Sequence, residues 1–78
     1  MPTVRIIGPY RFYFYSHETN EPPHIHVDRE NFSAKFWLEE ISLAKNSGFR
    51  QKEMNTLHEL VIKHQKQFLD KWYEYFCS

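Results

Sequence analysis

The chain has 78 residues, which suffices for one small domain containing a single sheet and one or two helices. Ten basic and ten acidic residues give a formal net charge of zero, which excludes a broad nucleic-acid footprint but allows a local basic patch. No apolar run approaches the roughly 20 residues that cross a bilayer, and the single Cys77 fits a reducing compartment, so we expect a soluble, cytoplasmic protein.

The first half of the chain has the alternation and the turn residues of an antiparallel sheet. The predicted strands span residues 4–7, 10–15, 24–28 and 32–38. Gly8-Pro9 provides the first turn, and residues 29–31 provide a hairpin turn between the last two of these strands. Residues 41–44 fit either a short edge strand or an extended connection to the helical half of the chain.

The third and fourth strands predict a core face and a chemically active face. Since side chains alternate along a strand, His24 and His26 project together, away from the core side chain of Ile25. The face opposite the core is then predicted to carry His24, His26, Asp28, Lys35 and Trp37. Imidazole has a pKa near neutrality, which suits it to proton transfer, metal binding and phosphate contacts.

The second half of the chain predicts one long helix at residues 51–76, because its apolar residues recur with helical period. Arg50 is a poor N-cap for this helix, since its side chain offers no acceptor to the first backbone N–H groups. Together, the elements predict one α+β domain over residues 1–78. It consists of an antiparallel sheet of three to four strands with one long C-terminal helix packed on one face.

The length of this helix predicts an interface. At about 1.5 Å per residue the helix would extend ~40 Å, whereas the strands cover only ~17–20 Å, so the helix would outrun the sheet. The overhang would expose an apolar stripe that consists of Phe68, Trp72 and Phe76. We expect this stripe to contact a second copy or a partner protein. The alternative is that the helix bends and Trp72 completes the core of the monomer.

The active face favours metal-free cleavage of RNA. This reaction needs a group that accepts the 2′-hydroxyl proton, a group that protonates the leaving oxygen, and cations near the phosphate. The predicted catalytic residues are His24 and His26 for proton transfer, with Lys35 and Arg11 for charge. The predicted binding residues are Glu18, Tyr13, Tyr15 and Trp37. The three aromatic side chains would stack on the bases of the RNA.

The two histidines also fit two other roles. His24 and His26 on one strand make a bidentate metal clamp, to which Glu18 or His17 in the preceding loop could add a third ligand. The pair could equally be a structural, hydrogen-bonded element of a solvated sheet face. The leading interpretation requires no cofactor, and aromatic side chains on a small sheet pack more often than they bind a ligand.

Four short motifs, in this order and spacing, are similar to a known family. They are PPHIHV at 22–27, AKFWL at 34–38, Asn46-x-Gly48-Phe49, and Trp72-x-Glu74-Tyr75-Phe76. The chain resembles, over nearly its whole length, a family of small bacterial proteins catalogued as domain of unknown function 4160. The family has no established activity, but the resemblance implies a two-gene operon with another small protein and hence a toxin–antitoxin pairing. The chain departs from the family at His17, usually Asn or Asp, and at Arg50, usually Ser.

The resulting hypothesis is a toxin–antitoxin-type component, in its most specific form a metal-free RNase-like toxin that uses paired histidines. The alternative is a non-enzymatic binding or regulatory module that pairs with a partner protein through its C-terminal helix. The expected partners are a second copy, forming a homodimer, or a small cognate protein from the same operon. RNA is the candidate substrate.

Overall fold

Five antiparallel strands form one sheet, in chain order, in the computed structural model, which describes residues 3–16 and 20–76. The strands are β1 (Thr3–Ile7), β2 (Tyr10–Tyr13), β3 (His24–Arg29), β4 (Phe32–Trp37) and β5 (Ser42–Ser47). Two helices follow, α1 (Gln51–Lys63) and α2 (Gln65–Phe76). The predicted α+β class and antiparallel sheet are confirmed, but there are five strands instead of three or four and two helices instead of one.

Short turns explain why β1 pairs with β2 and why β3 pairs with β4. Gly8 adopts a φ of 57° between β1 and β2, and Glu30 adopts a φ of 55° between β3 and β4. Both values lie in the left-handed region, which tight hairpin connections require. Residues 41–44, which the sequence left open, lead into and begin the edge strand β5. None of the described helices is long and apolar enough to cross a membrane.

A tight turn after β5 directs the chain into α1. The Asn46 amide donates a hydrogen bond to the Phe49 carbonyl oxygen at 2.9 Å, and the Phe49 backbone N–H donates to Asn46 Oδ1 at 3.1 Å. Gly48 has a φ of 110°, and a Cβ atom there would lie 2.5 Å from the ring of Phe32. The Asn-x-Gly-Phe motif is therefore explained by backbone conformation and close packing. Arg50, as expected, makes no side-chain cap.

The core lies between one face of the sheet and the two helices. The sheet and the residues that directly follow β2 and β4 contribute the buried side chains of Phe12, Phe14, Ile25, Val27, Ala34, Phe36 and Leu38. The helical half contributes Phe49, Met54, Leu57, Val61, Phe68 and Trp72. Within each helix the buried residues are three or four positions apart, which places them on one side of the helix and explains the helical period of the sequence.

The helix is interrupted at His64, which corrects the prediction of a single helix at 51–76. His64 has φ −108° and ψ 16°, outside the helical range of ψ. The side chain of Gln65 donates to the carbonyl oxygens of Leu38 at 2.7 Å and Glu39 at 3.3 Å. These bonds fasten the start of α2 to the chain just after β4. The second helix therefore packs on the sheet, with the ring of Phe68 5.1 Å from that of Phe12.

The aromatic end of α2 belongs to the core of the monomer. Trp72 is only 4 % exposed, and its ring lies 5.4 Å from Phe14 and 4.2 Å from Phe76. Phe68 is fully buried. The expectation that an overhanging helix exposes Phe68 and Trp72 is wrong, because the break at His64 lets α2 follow the sheet. The alternative, in which Trp72 completes the core of the monomer, describes the structure, and an interface with another chain stays a prediction.

An ion pair joins the sheet to the first turn of α1. The Arg29 guanidinium donates two hydrogen bonds to the Glu53 carboxylate, at 2.6 and 2.8 Å. The Tyr10 hydroxyl donates a third at 2.7 Å. These bonds, first from Arg29 and then from Tyr10, hold the pKa of Glu53 below its usual value.

This network predicts a pH dependence of stability. Because the pKa of Glu53 is depressed below its ordinary value of 4.5, the interaction stabilises the fold above that pH and is lost as the pH falls through the lower, folded value. We expect Glu53→Gln to melt below the wild type at pH 7, by a margin that shrinks towards pH 3. Melting curves across this range check the prediction, with the exposed Glu59→Gln as the control. An equal margin at both pH values would contradict it.

Candidate functional site

A row of polar and aromatic side chains crosses the sheet face opposite the helices. His26 on β3 pairs with Tyr13 on β2 and with Lys35 on β4. Lys35 in turn pairs with Lys45 on β5. Directly paired residues in an antiparallel sheet point to the same face, with Cβ atoms about 4.5–5.5 Å apart. The strand register therefore places one phenol, one imidazole and two ammonium groups side by side, each from a different strand.

A cavity of about 200 Å³ opens on this row. Its lining includes Tyr13, Tyr15, His26, Ser33, Lys35 and Lys45. Four of the predicted site residues thus lie together, namely Tyr13, Tyr15, His26 and Lys35. Sequence reasoning missed Ser33 and Lys45. Lys45 lies one residue beyond the segment left open at 41–44, and extending that strand in register with Lys35 would have identified it.

The imidazole of His26 lies against two tyrosine rings. The Tyr13 ring stacks on it at a centroid distance of 5.3 Å and an angle of 19°. The Tyr15 ring meets it edge-on, at 4.8 Å and 71°. His26 remains partly exposed. Packing therefore fixes the orientation of an imidazole that a ligand can still reach.

Tyr13 is a buried phenol with a fixed hydroxyl group. Its hydroxyl donates a hydrogen bond to Asp28 Oδ1 at 2.9 Å. Burial first, and then hydrogen bonds with Tyr15 and Asp28, raise the pKa of Tyr13 far above its usual value. Tyr13 therefore stays protonated at physiological pH and supports His26 as a neutral aromatic surface.

The two lysines of the row differ in their surroundings. Lys35 Nζ donates to the carboxylate of Glu21 and lies 4.7 Å from the centre of the Trp37 ring. Glu21, which was not among the predicted site residues, thus neutralises part of the Lys35 charge. Lys45 lies on the edge strand with its side chain exposed. It is the cation of the row that is best placed to meet a ligand.

His24 is fully buried, which corrects the prediction that both histidines stand on an open face. Its Nδ1 atom lies 3.0 Å from the carbonyl oxygen of Pro22, and since a carbonyl only accepts, Nδ1 carries the hydrogen. The Trp72 ring lies 4.8 Å away and covers the start of β3. The His26 ring is 5.1 Å away, so the histidines do project together. Only His26, however, faces the cavity.

Two further predicted residues lie outside the cavity on the row. Arg11 donates from Nε to Thr3 Oγ1 at 2.9 Å, and its guanidinium carbon lies 4.7 Å from the Tyr13 ring. It therefore flanks the site through Tyr13 and does not line it. Trp37 lines a separate cavity at the end of the sheet. Trp37 therefore does not line the cavity beside His26, although its ring contacts Lys35 and the ring of His24, two of the side chains with which the sequence grouped it.

The metal alternative has no third ligand in the described part of the chain. His17 and Glu18, the two candidates for that ligand, lie outside the described residues. Among residues 3–16 and 20–76, no three His, Cys, Asp or Glu side chains form a group that could hold a metal ion.

Comparison with known proteins identifies the family. Residues 10–73 match the family described as Domain of unknown function (DUF4160). No curated protein and no solved structure matches the chain. The family match covers most of the chain, including every strand from β2 to β5 and the whole of α1. The chain therefore belongs to the family of unknown function DUF4160.

Proposed function

We propose that the open face of the sheet binds single-stranded RNA, with His26 at the centre of the site. The observation that carries this proposal is the row from Tyr13 through His26 and Lys35 to Lys45, beside a cavity of about 200 Å³. Ligand pockets for drug-sized molecules measure roughly 300–1,000 Å³. The smaller cavity suits one phosphate and its sugar.

Charge and aromatic character support RNA as the ligand class. Proteins read single-stranded RNA by stacking bases on aromatic or guanidinium planes and by placing cations near the phosphates. Tyr15 and His26 offer partly exposed ring surfaces, while Lys45 offers an exposed ammonium group. Asp28 and Glu21 are engaged by Tyr13 and Lys35, which limits their repulsion of a phosphate. The site is thus a local basic patch on a neutral protein.

Cleavage of the bound RNA is the second candidate function, and the orientation of His26 favours it. An imidazole held in place by two rings can accept the 2′-hydroxyl proton as that oxygen bonds to phosphorus and can then give the proton to the 5′-oxygen that leaves, while a nearby lysine stabilises the charge on the phosphate. Burial removes His24 from contact with the substrate. The proposed chemistry therefore depends on His26 as the acid–base group, in place of the pair that the sequence suggested.

The cellular setting that we propose is a toxin–antitoxin-type pair, in which this chain is one component. Its support is the resemblance of the sequence motifs to a family of small bacterial proteins, a resemblance that implies a two-gene operon. Expression of the chain with and without its genomic neighbour, with growth recorded, tests this setting. Growth arrest that needs His26 and is relieved by the neighbour would support a toxin, whereas normal growth in all cases would contradict that role.

Binding of a labelled single-stranded RNA, measured by fluorescence anisotropy across a salt series, tests the site itself. We expect Lys45→Gln to reduce the slope of log affinity against log salt by about one, the effect of one lost phosphate contact. Lys52→Gln is the matched control. Lys52 is exposed on α1, on the opposite side of the sheet, so its substitution removes the same charge away from the proposed site. Equal losses in the two variants, or no binding by the wild type, would contradict the proposal.

The same RNA, labelled at its 5′ end and resolved on a gel, separates cleavage from binding. His26→Ala should abolish cleavage while circular dichroism shows an unchanged fold. Binding without cleavage by the wild type would retain the binding site and reject the nuclease.

A further inference from the structure

A second cavity, of about 260 Å³, lies at the end of the sheet where β3 begins and β4 ends. Its lining consists of Pro22, Pro23, Trp37, Glu39, Glu40 and Ser42. None of these residues lines the cavity beside His26. The Pro-Pro motif and Trp37, two sequence features that the proposed RNA site does not use, therefore meet here.

The walls of this cavity are mostly apolar, and the Trp37 ring also contacts a cation, Lys35, which does not line the cavity. Two proline rings and the Trp37 indole supply the apolar surface. Lys35 Nζ lies 4.7 Å from the centre of the Trp37 ring, a cation–π distance. The environment of Trp37 is thus compatible with positive charge, which indole attracts more strongly than the other aromatic rings do.

Two consecutive carboxylates complete the cavity. Glu39 and Glu40 are both exposed, and within residues 3–16 and 20–76 neither forms an ion pair. The hydroxyl of Tyr73 donates to Glu39 Oε2 at 3.1 Å, which ties this carboxylate to α2. The Ser42 hydroxyl donates to the Glu40 carbonyl oxygen at 3.3 Å. The cavity therefore combines an apolar wall with two carboxylate side chains in its lining, of which Glu39 is held by Tyr73.

We propose that this cavity binds an arginine side chain from a partner protein. A guanidinium group is planar, stacks on aromatic faces and donates paired hydrogen bonds to carboxylates. Trp37 provides the stacking surface, and Glu40, with Glu39, provides the acceptors. The two carboxylates repel phosphate, so the RNA of the proposed function does not extend into this cavity. The inference does not rest on RNA binding at His26, although Lys35 lines the cavity beside His26 and also contacts the Trp37 ring.

Nuclear magnetic resonance of the tryptophan indole N–H groups tests the proposal on the unmodified protein. The chain has two tryptophans, so Trp37→Phe assigns the two signals. The probe is acetyl-Gly-Arg-Gly-amide, and the control peptide carries citrulline, which has the same shape without the charge. We expect the arginine peptide to shift the Trp37 signal with saturation in the millimolar range. The citrulline peptide should shift it far less at the same concentration.

Two substitutions locate the charge that the peptide recognises. Glu40→Gln should weaken binding by roughly three- to five-fold, the scale of one exposed ion pair. Glu30→Gln, in the turn at the opposite end of β3, is the matched control and should leave affinity unchanged. Equal shifts with arginine and citrulline, an unmoved Trp37 signal, or equal effects of the two glutamate variants would each overturn the assignment.

Discussion

Replacing Trp72 with alanine should lower the melting temperature by more than about 10 °C. Large-to-small substitution of a buried tryptophan costs about 3–5 kcal/mol, because the transfer free energy is lost and a cavity remains. In a domain of this size each kcal/mol shifts the melting temperature by about 4–8 °C. The total stability of such a domain is only ~4–12 kcal/mol, so the substitution removes a large fraction of it.

The packing of Trp72 explains why the effect should be large. Its ring meets Phe14 from the sheet, Phe76 from the next turn of α2, and His24 at the start of β3. One side chain therefore links three elements at one end of the molecule. The surrounding rings are large and rigid, so we expect little collapse into the space that alanine would leave.

Thermal melting and sedimentation together separate a core role from an interface. Tyr73→Ala, on the same helix but at a side chain that is 43 % exposed, is the control and should melt close to the wild type. Suppose that the wild type sediments as a dimer, and that Trp72→Ala sediments as a monomer but melts within a few degrees of the wild type. The tryptophan would then belong to an interface. The burial of Trp72 within the monomer predicts the opposite result.

The sheet was largely predictable because its signals are local. Alternation in the segments PPHIHV and AKFWL located β3 and β4, and the turn residues between them defined a hairpin. The pairing of His26 with Lys35 then follows from the register of that hairpin, and the candidate site was found in part for this reason. The edge strand β5 was only half recognised, because an exposed strand lacks the alternation that burial imposes.

The path of the helices depended on a contact that is distant in sequence. Apolar residues continue at helical spacing through His64, and neither proline nor glycine marks a break there. The break coincides with hydrogen bonds from Gln65 to the backbone after β4, 26 and 27 residues away in the chain. Periodicity describes one face of a helix and contains no information about such a bond. The predicted overhang of the helix was therefore wrong, and the predicted exposure of the apolar stripe, which depended on that overhang, was wrong with it.

Strand parity located His24 correctly but predicted the wrong environment. Alternation places His24 on the same side of β3 as His26, and their rings are indeed neighbours. At the first residue of β3, however, Trp72 and Trp37 lie against the ring, at 4.8 and 5.8 Å. Burial at that point depends on the end of α2, which the sequence of the strand does not specify.

Because His24 is buried and His26 is partly exposed, their alanine variants should differ in stability, with the larger loss for His24→Ala. His24→Ala removes a fully buried ring and the N–H that bonds to the Pro22 carbonyl oxygen. We expect a loss on the order of 2–5 kcal/mol in the free energy of unfolding, the range for large core side chains cut to alanine. His26→Ala removes a partly exposed ring that lies against the rings of Tyr13, Tyr15 and His24, and such aromatic pairs are worth about 0.5–1.5 kcal/mol each where they are fully buried.

Urea unfolding of the two variants, together with RNA binding, tests the assignment of a structural role to His24 and a ligand-binding role to His26. His24→Asn is the informative control, because its amide nitrogen can replace Nδ1 as the donor to Pro22, so it should recover part of the stability lost in His24→Ala. His26→Ala should stay folded and lose RNA binding. If His24→Ala were as stable as His26→Ala and both variants lost RNA binding, the assignment of a structural role to a buried His24 would be wrong. The paired-histidine site would then be the better account, because a ring that can be removed without loss of stability is held in place for chemistry and not for packing.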